Sequence, residues 1–383
     1  TIMVVARKRQ ENVQSVPISI TALTGAGLAE RSVNRVTDLV ASVPNMSQDG
    51  GGAVLGAIGI RGVVSQTRNI GFDSGLGVYV DGVLTVRPSG ADQELPDIAT
   101  LEVLRGPQGT LFGRNTTGGA INVIMRKPSR EFTGFAEAGY GRFDKVHLRG
   151  SVDVPLVEDK LLSKLSGYYI RSDGYVHDEV TGQKLNGEKN WGVRGALRAL
   201  FSDDVTWDVS ADYVKDKEAN LPHFYDADRD RRITFIPFRT DTPIGSALVS
   251  PELADNTLGN TATSYSVSSN LQVNAGAATI NVITGYRYLF QEYMTDSFAG
   301  LSSASVVLND IDFVRGSRGT STPLVNDSRH RQFSQEIKVN GDALDGLLSY
   351  VGGFYYIIER NDTNFANVSV PLTGRPTVSG DRV

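Results

Sequence analysis

The sequence predicts a membrane-spanning, all-β barrel preceded by a smaller α+β domain. Three observations carry that reading: a step in aromatic content near residue 130, long segments of period-2 alternation beyond it, and connections that alternate between short and long. Phe72, Tyr79 and Phe112 are the only aromatics up to residue 130, in a chain of 383 residues with 15 Phe, 14 Tyr and 2 Trp. Two physically different domains therefore meet there.

The N-terminal part is rich in Gly, as in Gly50-Gly51-Gly52 and Gly118-Gly119, with short apolar runs such as Val78-Tyr79-Val80. Close backbone packing and tight turns suit such a composition. Val16-Pro17-Ile18-Ser19-Ile20 is expected to open the domain proper, and Ser32 to Val43 to form its helix.

The remainder alternates. In Trp191 to Phe201 the odd positions are Trp191, Val193, Gly195, Leu197, Ala199 and Phe201, with Arg194 and Arg198 between them. Ten steps of ~3.3 Å tilted by ~45° rise roughly 23 Å, close to the ~25 Å apolar band of an outer-membrane barrel with its aromatic girdles. The same pattern recurs from Val146 to Val154, from Val205 to Tyr213 and from Ala278 to Phe290. Soluble sandwich strands alternate too, but usually run to only ~5–6 residues. Nine strands are expected, near 132–140, 144–155, 161–171, 189–201, 205–215, 264–274, 278–292, 331–340 and 347–358. Short turns follow the second, fourth, sixth and eighth; long polar stretches follow the third, fifth and seventh, the longest from about Asp216 to Thr263. Such alternation marks the two sides of a transmembrane barrel.

Composition excludes much else. No run approaches the ~18 apolar residues of a membrane-spanning helix. The net charge of −5 offers no basic stripe for nucleic acid, and zero Cys removes thiol nucleophiles, Cys-bound zinc and Fe–S clusters. Gly113 to Gly119 has P-loop glycine spacing, but Gly119 and Ala120 stand where Lys and Ser/Thr would be needed. Asp226-Ala227-Asp228-Arg229-Asp230 starts like an EF-hand, yet Arg231 and Pro237 occupy the positions requiring Gly and Glu. There is no HExxH pair and no Gly-x-Ser-x-Gly elbow, so the reading is not an enzyme, with no cofactor and no metal site.

The segment Asp97-Ile98-Ala99-Thr100-Leu101-Glu102-Val103-Leu104-Arg105-Gly106-Pro107-Gln108-Gly109-Thr110-Leu111-Phe112-Gly113-Arg114-Asn115-Thr116-Thr117-Gly118-Gly119-Ala120-Ile121-Asn122-Val123 resembles the plug signature of TonB-dependent outer-membrane receptors. Ile60-Arg61-Gly62 and Gly77-Val78-Tyr79-Val80-Asp81-Gly82-Val83 resemble its upstream motifs, and Phe333-Ser334-Gln335-Glu336-Ile337 resembles a recurring barrel strand. Thr1-Ile2-Met3-Val4-Val5-Ala6 is similar to the TonB box, although Thr1 and Val5 stand where an acid and a Thr are frequent.

The resemblance implies a 22-stranded barrel with the plug in its lumen, of which about nine strands are here, so the chain is expected to be C-terminally incomplete. It implies residues 1–9 as TonB box and linker, 10–130 as plug and 131–383 as barrel. Ile2, Met3, Val4, Val5 and Ala6 would bind TonB and its inner-membrane energising complex; Arg61, Glu102 and Arg105 would join plug to barrel wall. The plug motif would be Gly62, Asp81, Gly82, Gly106, Pro107, Gly113, Gly118, Gly119 and Asn122. Substrate would touch Gln48, Asp49 and Arg87 on the plug apex and His223, Phe224, Tyr225 and Arg229 on the longest loop. The implied function is TonB-dependent uptake across a Gram-negative outer membrane, with the box facing the periplasm and lipid around the barrel. An Fe³⁺-siderophore is the default substrate; carbohydrate, cobalamin, haem or another organic ligand is the alternative, and a passive channel the second.

Overall fold

The computed structural model describes residues 3–5, 11–49, 57–64, 74–85, 94, 96–177, 184–185, 187–219, 225–226, 233–234, 259–296, 323–344, 347–369 and 377–379. At the N-terminus β1 (Met3–Val4) pairs antiparallel with β2 (Glu11–Asn12). Next come β3 (Ile20–Thr24), α1 (Gly25–Glu30), a 3₁₀ turn at Thr37–Ala41, and a small sheet of β4 (Met46–Asp49), β5 (Ala57–Ile60) and β6 (Val63–Val64). Then follow β7 (Leu76–Val80), β8 (Val83–Thr85), β9 (Ile98–Arg105), the one-turn helix α2 (Gly109–Phe112) and β10 (Gly119–Met125). The main sheet of this domain has the order β3-β9-β10-β7-β8, with β10 parallel to β7 and the other neighbours antiparallel.

Both faces of that sheet are covered, which is why its central strands read as nearly continuous apolar runs. Leu101, Val103, Ile121 and Val123 pack with Leu28, Val33, Val36, Leu39 and Val43 on one face. Leu104, Ala120, Tyr79 and Leu84 cluster with Val4, Val16 and Phe112 on the other.

The helix expected at Ser32–Val43 is not formed. The α-helix lies earlier, capped by the Thr24 hydroxyl accepting the Gly27 N–H at 3.2 Å, and Ser32 at φ 54° follows its end. Beyond it the Asp38 carboxylate accepts the Asn34 and Arg35 N–H groups, both at 2.8 Å, and a single 3₁₀ turn follows. Val33, Val36, Leu39 and Val43 carry helical spacing and are buried, so the spacing reports burial correctly. The β-branched Val33, Val36, Thr37, Val40 and Val43 oppose regular helix.

The second domain holds β11 (Thr133–Gly141), β12 (Lys145–Val157), β13 (Leu161–Ser172), β14 (Val176–His177), β15 (Lys184–Leu185), β16 (Glu188–Leu200), β17 (Val205–Ala219), β18 (Tyr225–Asp226), β19 (Ile233–Thr234), β20 (Gly259–Ala275), β21 (Ala278–Asp296), β22 (Pro323–Ala343), β23 (Leu348–Ser369) and β24 (Thr377–Ser379). Ten of these form one antiparallel sheet in sequence order, while β14 pairs with β15 and β18 with β19 outside it. All nine expected strands are present. They exceed the expected bounds mainly at the long-loop ends, for instance Pro323 against 331 and Ser369 against 358. Asn326 to His330 and Glu359 to Asn364 are polar on both faces, so alternation stops there while backbone pairing continues.

The sheet is inside-out relative to a soluble protein. Ser151, Asp153, Lys164, Ser166, Arg194, Ser210, His330 and Gln332 are buried facing the plug, whereas Leu148, Leu165, Val193, Leu197, Val267 and Ile337 are exposed. Tyr213, Tyr265 and Tyr288 lie at one level through the pairs Tyr213↔Tyr265 and Tyr265↔Tyr288, the latter rings stacked at 4.7 Å. That row is an aromatic girdle of the kind that edges the apolar band of a membrane barrel.

Candidate functional site

The chemistry of this molecule is concentrated where the N-terminal domain meets the inner wall of the sheet. A two-residue turn joins β7 to β8, and its Asp81-Gly82 pair has φ of 48° and 84°, the left-handed combination that Asp-Gly satisfies best. The turn pushes the Asp81 carboxylate against Arg194 of β16 at 2.5 Å. Arg194 also meets Asp212 at 2.7 Å and the Ser210 hydroxyl at 2.9 Å, while Lys127 sits 3.4 Å from Asp81 and 3.7 Å from Asp208.

A second network forms at the same end of the plug sheet. Asp97, just before β9, pairs with Lys164 of β13, which lies 3.2 Å from Asp153 of β12; Arg126 reaches Asp97 at 3.0 Å. Lys164, Asp97 and Asp153 are all buried. Breaking a buried pair from one side costs about 3–5 kcal/mol, against about 0.2–1 for an exposed one. Asp153 also accepts the Ser129 N–H at 2.8 Å, fixing the segment that leads from β10 to β11.

Further contacts ring the interface. Arg35 meets Glu188 at 2.8 Å, Arg149 donates to the Asn34 side-chain oxygen at 2.7 Å, His147 lies 2.7 Å from the buried Glu94, and Arg114 pairs with Glu359. Gln332 of β22 donates to the Leu84 carbonyl at 2.8 Å. Gly285 of β21 lets the two domains approach closely: a Cβ there would sit 2.5 Å from the Val83 side chain.

The residues expected at this interface are placed differently. Arg61 is exposed at φ 53° in the Arg61-Gly62 turn, its guanidinium lying over Gly106. Arg105 is half-buried, and its side-chain Nε has no hydrogen-bond partner. Glu102 is fully buried and its carboxylate accepts from inside the domain: the Val5 N–H at 2.6 Å and the Asn122 amide at 3.1 Å. Among the described residues none of the three forms an ion pair with the wall. Asp81 and Asp97 do so instead, because the sheet end that carries them points into the wall. Burial pushes the Glu102 carboxyl above the usual carboxylate range, with the Asn122 amide and the Val5 N–H pulling it back.

The motif glycines frame one loop. Gly106 N–H donates to the Gly118 carbonyl and Gln108 N–H to that of Thr116, both at 2.9 Å, so residues 106–118 form a closed connection holding α2, with Pro107 and Gly113 on either side of the helix and Gly119 opening β10. The Tyr79 hydroxyl donates to the Phe112 carbonyl at 2.5 Å beneath it. Of the expected TonB-binding residues, Met3 and Val4 form β1 and Val4 is fully buried; Ile2 and Ala6 lie outside the described residues. Gln48 is exposed and, with Asp49, ends β4, and Tyr225 opens β18; Arg87, His223, Phe224 and Arg229 lie outside the described residues.

Residues 12–120 match the family model described as the TonB-dependent Receptor Plug Domain. By this match the chain carries the plug domain of the TonB-dependent receptors. It is similar to the pesticin receptor of Yersinia pestis, 26% identical over 211 residues that make up 55% of this chain and 31% of that protein. It is also similar to the iron-regulated outer membrane virulence protein of Vibrio cholerae, 34% identical over 146 residues, 35% of this chain and 21% of the relative. Among solved structures, the ferric yersiniabactin uptake receptor FyuA of Yersinia pestis superposes with a TM-score of 0.73 at 19% identity, over 92% of this chain and 51% of that one. The plug seated on a strand wall is thus the fold of this receptor family. The chain spans about a third of the length of the pesticin receptor and about half of FyuA. The family is one of receptors and transporters rather than enzymes.

Proposed function

We propose that this receptor takes up a scarce substrate across the outer membrane of a Gram-negative bacterium, driven by TonB and its inner-membrane energising complex, and that the substrate is an Fe³⁺-siderophore complex. The observation that carries the reading is a plug whose sheet is tied to the wall by the buried Asp97–Lys164 and Asp81–Arg194 pairs. Such a plug closes the lumen until work is done on it, which a passive channel does not need. The names of the relatives support iron as cargo: one is iron-regulated and one takes up ferric yersiniabactin.

In this reading residues 1–9 are the TonB box and linker facing the periplasm, 10–130 the plug and 131–383 the barrel segment. Ile2, Met3, Val4, Val5 and Ala6 pair with an edge of TonB, where backbone hydrogen bonds supply the affinity. Substrate meets the plug apex near Gln48, Asp49 and Arg87 and the outer loops around His223, Phe224, Tyr225 and Arg229. Accumulation of radiolabelled iron, presented on a panel of hydroxamate, catecholate and mixed siderophores to cells expressing the receptor, tests the substrate. Iron uptake from one class names it. No uptake from any, with growth instead on a carbohydrate, cobalamin or haem source, moves the substrate to that alternative.

A further inference from the structure

The outward-facing row of the girdle does not stay aromatic. From Tyr213 through Tyr265 and Tyr288 the register runs on into Arg331 of β22 and Arg360 of β23, which stand directly opposite each other. Arg329, two residues nearer the long-loop end of β22, places its guanidinium over the Phe290 ring, 5.3 Å from the centroid. All three arginines are exposed. On the same face, one step toward the short turns, the register brings together the exposed Tyr286, Phe333 and Ile358.

Like charges directly opposite each other on neighbouring strands repel. At the edge of an apolar band that repulsion is screened less than in bulk water. On the lumen side each cation is answered: Arg149, Lys164 and Arg194 all pair with a carboxylate. On the outer side no carboxylate among the described residues pairs with Arg329, Arg331 or Arg360. Asp362, Asp327 and Glu292 share that face, but all lie further toward the long-loop end than the opposed pair, and Asp327 accepts the Asn364 amide at 2.7 Å.

A guanidinium offers a planar fork of N–H donors that fits a phosphate through two hydrogen bonds at once. The opposed pair sits where apolar side chains give way to polar ones, which is the depth at which a lipid carries its phosphate and at which long basic side chains reach for it. The surface next to the pair decides between a lipid and a free ion. Toward the short turns the exposed Phe333, Ile337, Phe354, Tyr356 and Ile358 continue along β22 and β23 as an apolar strip on which acyl chains can lie. We propose that Arg331 and Arg360, with Arg329 beside them, form a binding site for the phosphate group of a membrane lipid whose chains run down that strip. The lipid phosphate bridges the two opposed guanidiniums and removes their repulsion.

The test uses the full-length receptor in detergent, titrated in native mass spectrometry with dimyristoyl phosphatidic acid, with the matching diacylglycerol and with inorganic phosphate. Phosphatidic acid should bind about tenfold or more tightly than diacylglycerol, which lacks the phosphate, and than inorganic phosphate, which lacks the chains. Arg331→Gln with Arg360→Gln should weaken phosphatidic acid about tenfold or more, the loss expected of a charge-assisted hydrogen bond. Arg331→Lys with Arg360→Lys keeps the charge without the fork and should fall between. The control is Lys189→Gln with Lys217→Gln, which removes an exposed pair of opposed cations four residues beyond Tyr213 on β17; it should stay within about twofold of the parent. Thermal unfolding gives a second reading: phosphatidic acid should raise the midpoint of the parent and leave that of the glutamine pair unmoved. Unchanged phosphatidic acid affinity in the glutamine pair, an equal loss in the lysine control, or an equal rise of both midpoints overturns the site. Inorganic phosphate or diacylglycerol binding as tightly as phosphatidic acid overturns a lipid phosphate as its occupant.

Discussion

Replacing Lys164 by Met leaves Asp97 and Asp153 facing each other without the ammonium that separates them. Their side chains are only 6% and 4% exposed, so water cannot take its place. A surface pair of this kind would be worth about 0.2–1 kcal/mol, whereas stripping one partner from a buried pair costs about 3–5 kcal/mol. Arg126, 3.0 Å from Asp97 but 56% exposed, compensates part of the loss, which places the expected cost near the lower end, about 3 kcal/mol. At about 1.4 kcal/mol per tenfold, the population of loosened plug should rise about 150-fold. The cysteine-free background gives the assay: the rate of maleimide labelling at Ile121→Cys, fully buried in the plug core, tracks that population. Lys164→Met together with Asp97→Asn should recover most of the protection, since one of the two opposed charges is gone. A rise of less than about fivefold in Lys164→Met, the value expected of an exposed pair, would refute the view that this contact fastens the plug.

Asp81→Asn should loosen the plug at its other anchor by about 2–4 kcal/mol, because Arg194 keeps Asp212 but loses its plug partner; the same Ile121→Cys labelling reads it, and additivity with Lys164→Met would show two independent fastenings. Gly285→Val places side-chain atoms where Val83 now packs, with a Cβ only 2.5 Å from it, and should cost about 1–3 kcal/mol, seen as a lower urea midpoint for plug unfolding, while the outward-facing Tyr286→Phe leaves that midpoint unchanged. Because burial raises the Glu102 carboxyl in the folded plug, its contribution to plug stability is present below the unfolded value near 4.3 and is lost as pH rises through the higher folded value. Urea midpoints of the parent should therefore decline from pH 4 upward relative to Glu102→Gln; a flat difference across that range contradicts the assignment.

The strands of the wall were legible because alternation is a local property: each side chain of Trp191 to Phe201 faces lipid or lumen according to its parity, whatever its partners are. The long-loop ends of β22 and β23 were not, since Asn326 to His330 and Glu359 to Asn364 are polar on both faces and parity carries no signal there. Val33, Val36, Leu39 and Val43 gave the right buried face and the wrong backbone, because apolar spacing fixes which residues must be covered and leaves open how the chain turns between them. The plug itself could be recognised from its motifs, but not its fastenings. Lys164 and Arg194 are single charges within wall strands, and their partners Asp97 and Asp81 lie 67 and 113 residues away. Glu102 stands in an apolar run, which marks it as special; that its partner is the backbone of Val5, 97 residues earlier, depends on how the N-terminal segment folds back.

The central claim, energised uptake, is tested most directly by deleting Ile2 to Ala6 and measuring ferric-siderophore accumulation in whole cells with and without a protonophore. An energised receptor accumulates iron only with the segment present and the proton gradient intact, while surface binding of the siderophore survives both treatments. Accumulation that continues without the segment, or that ignores the protonophore, would mean that substrate passes this plug without TonB.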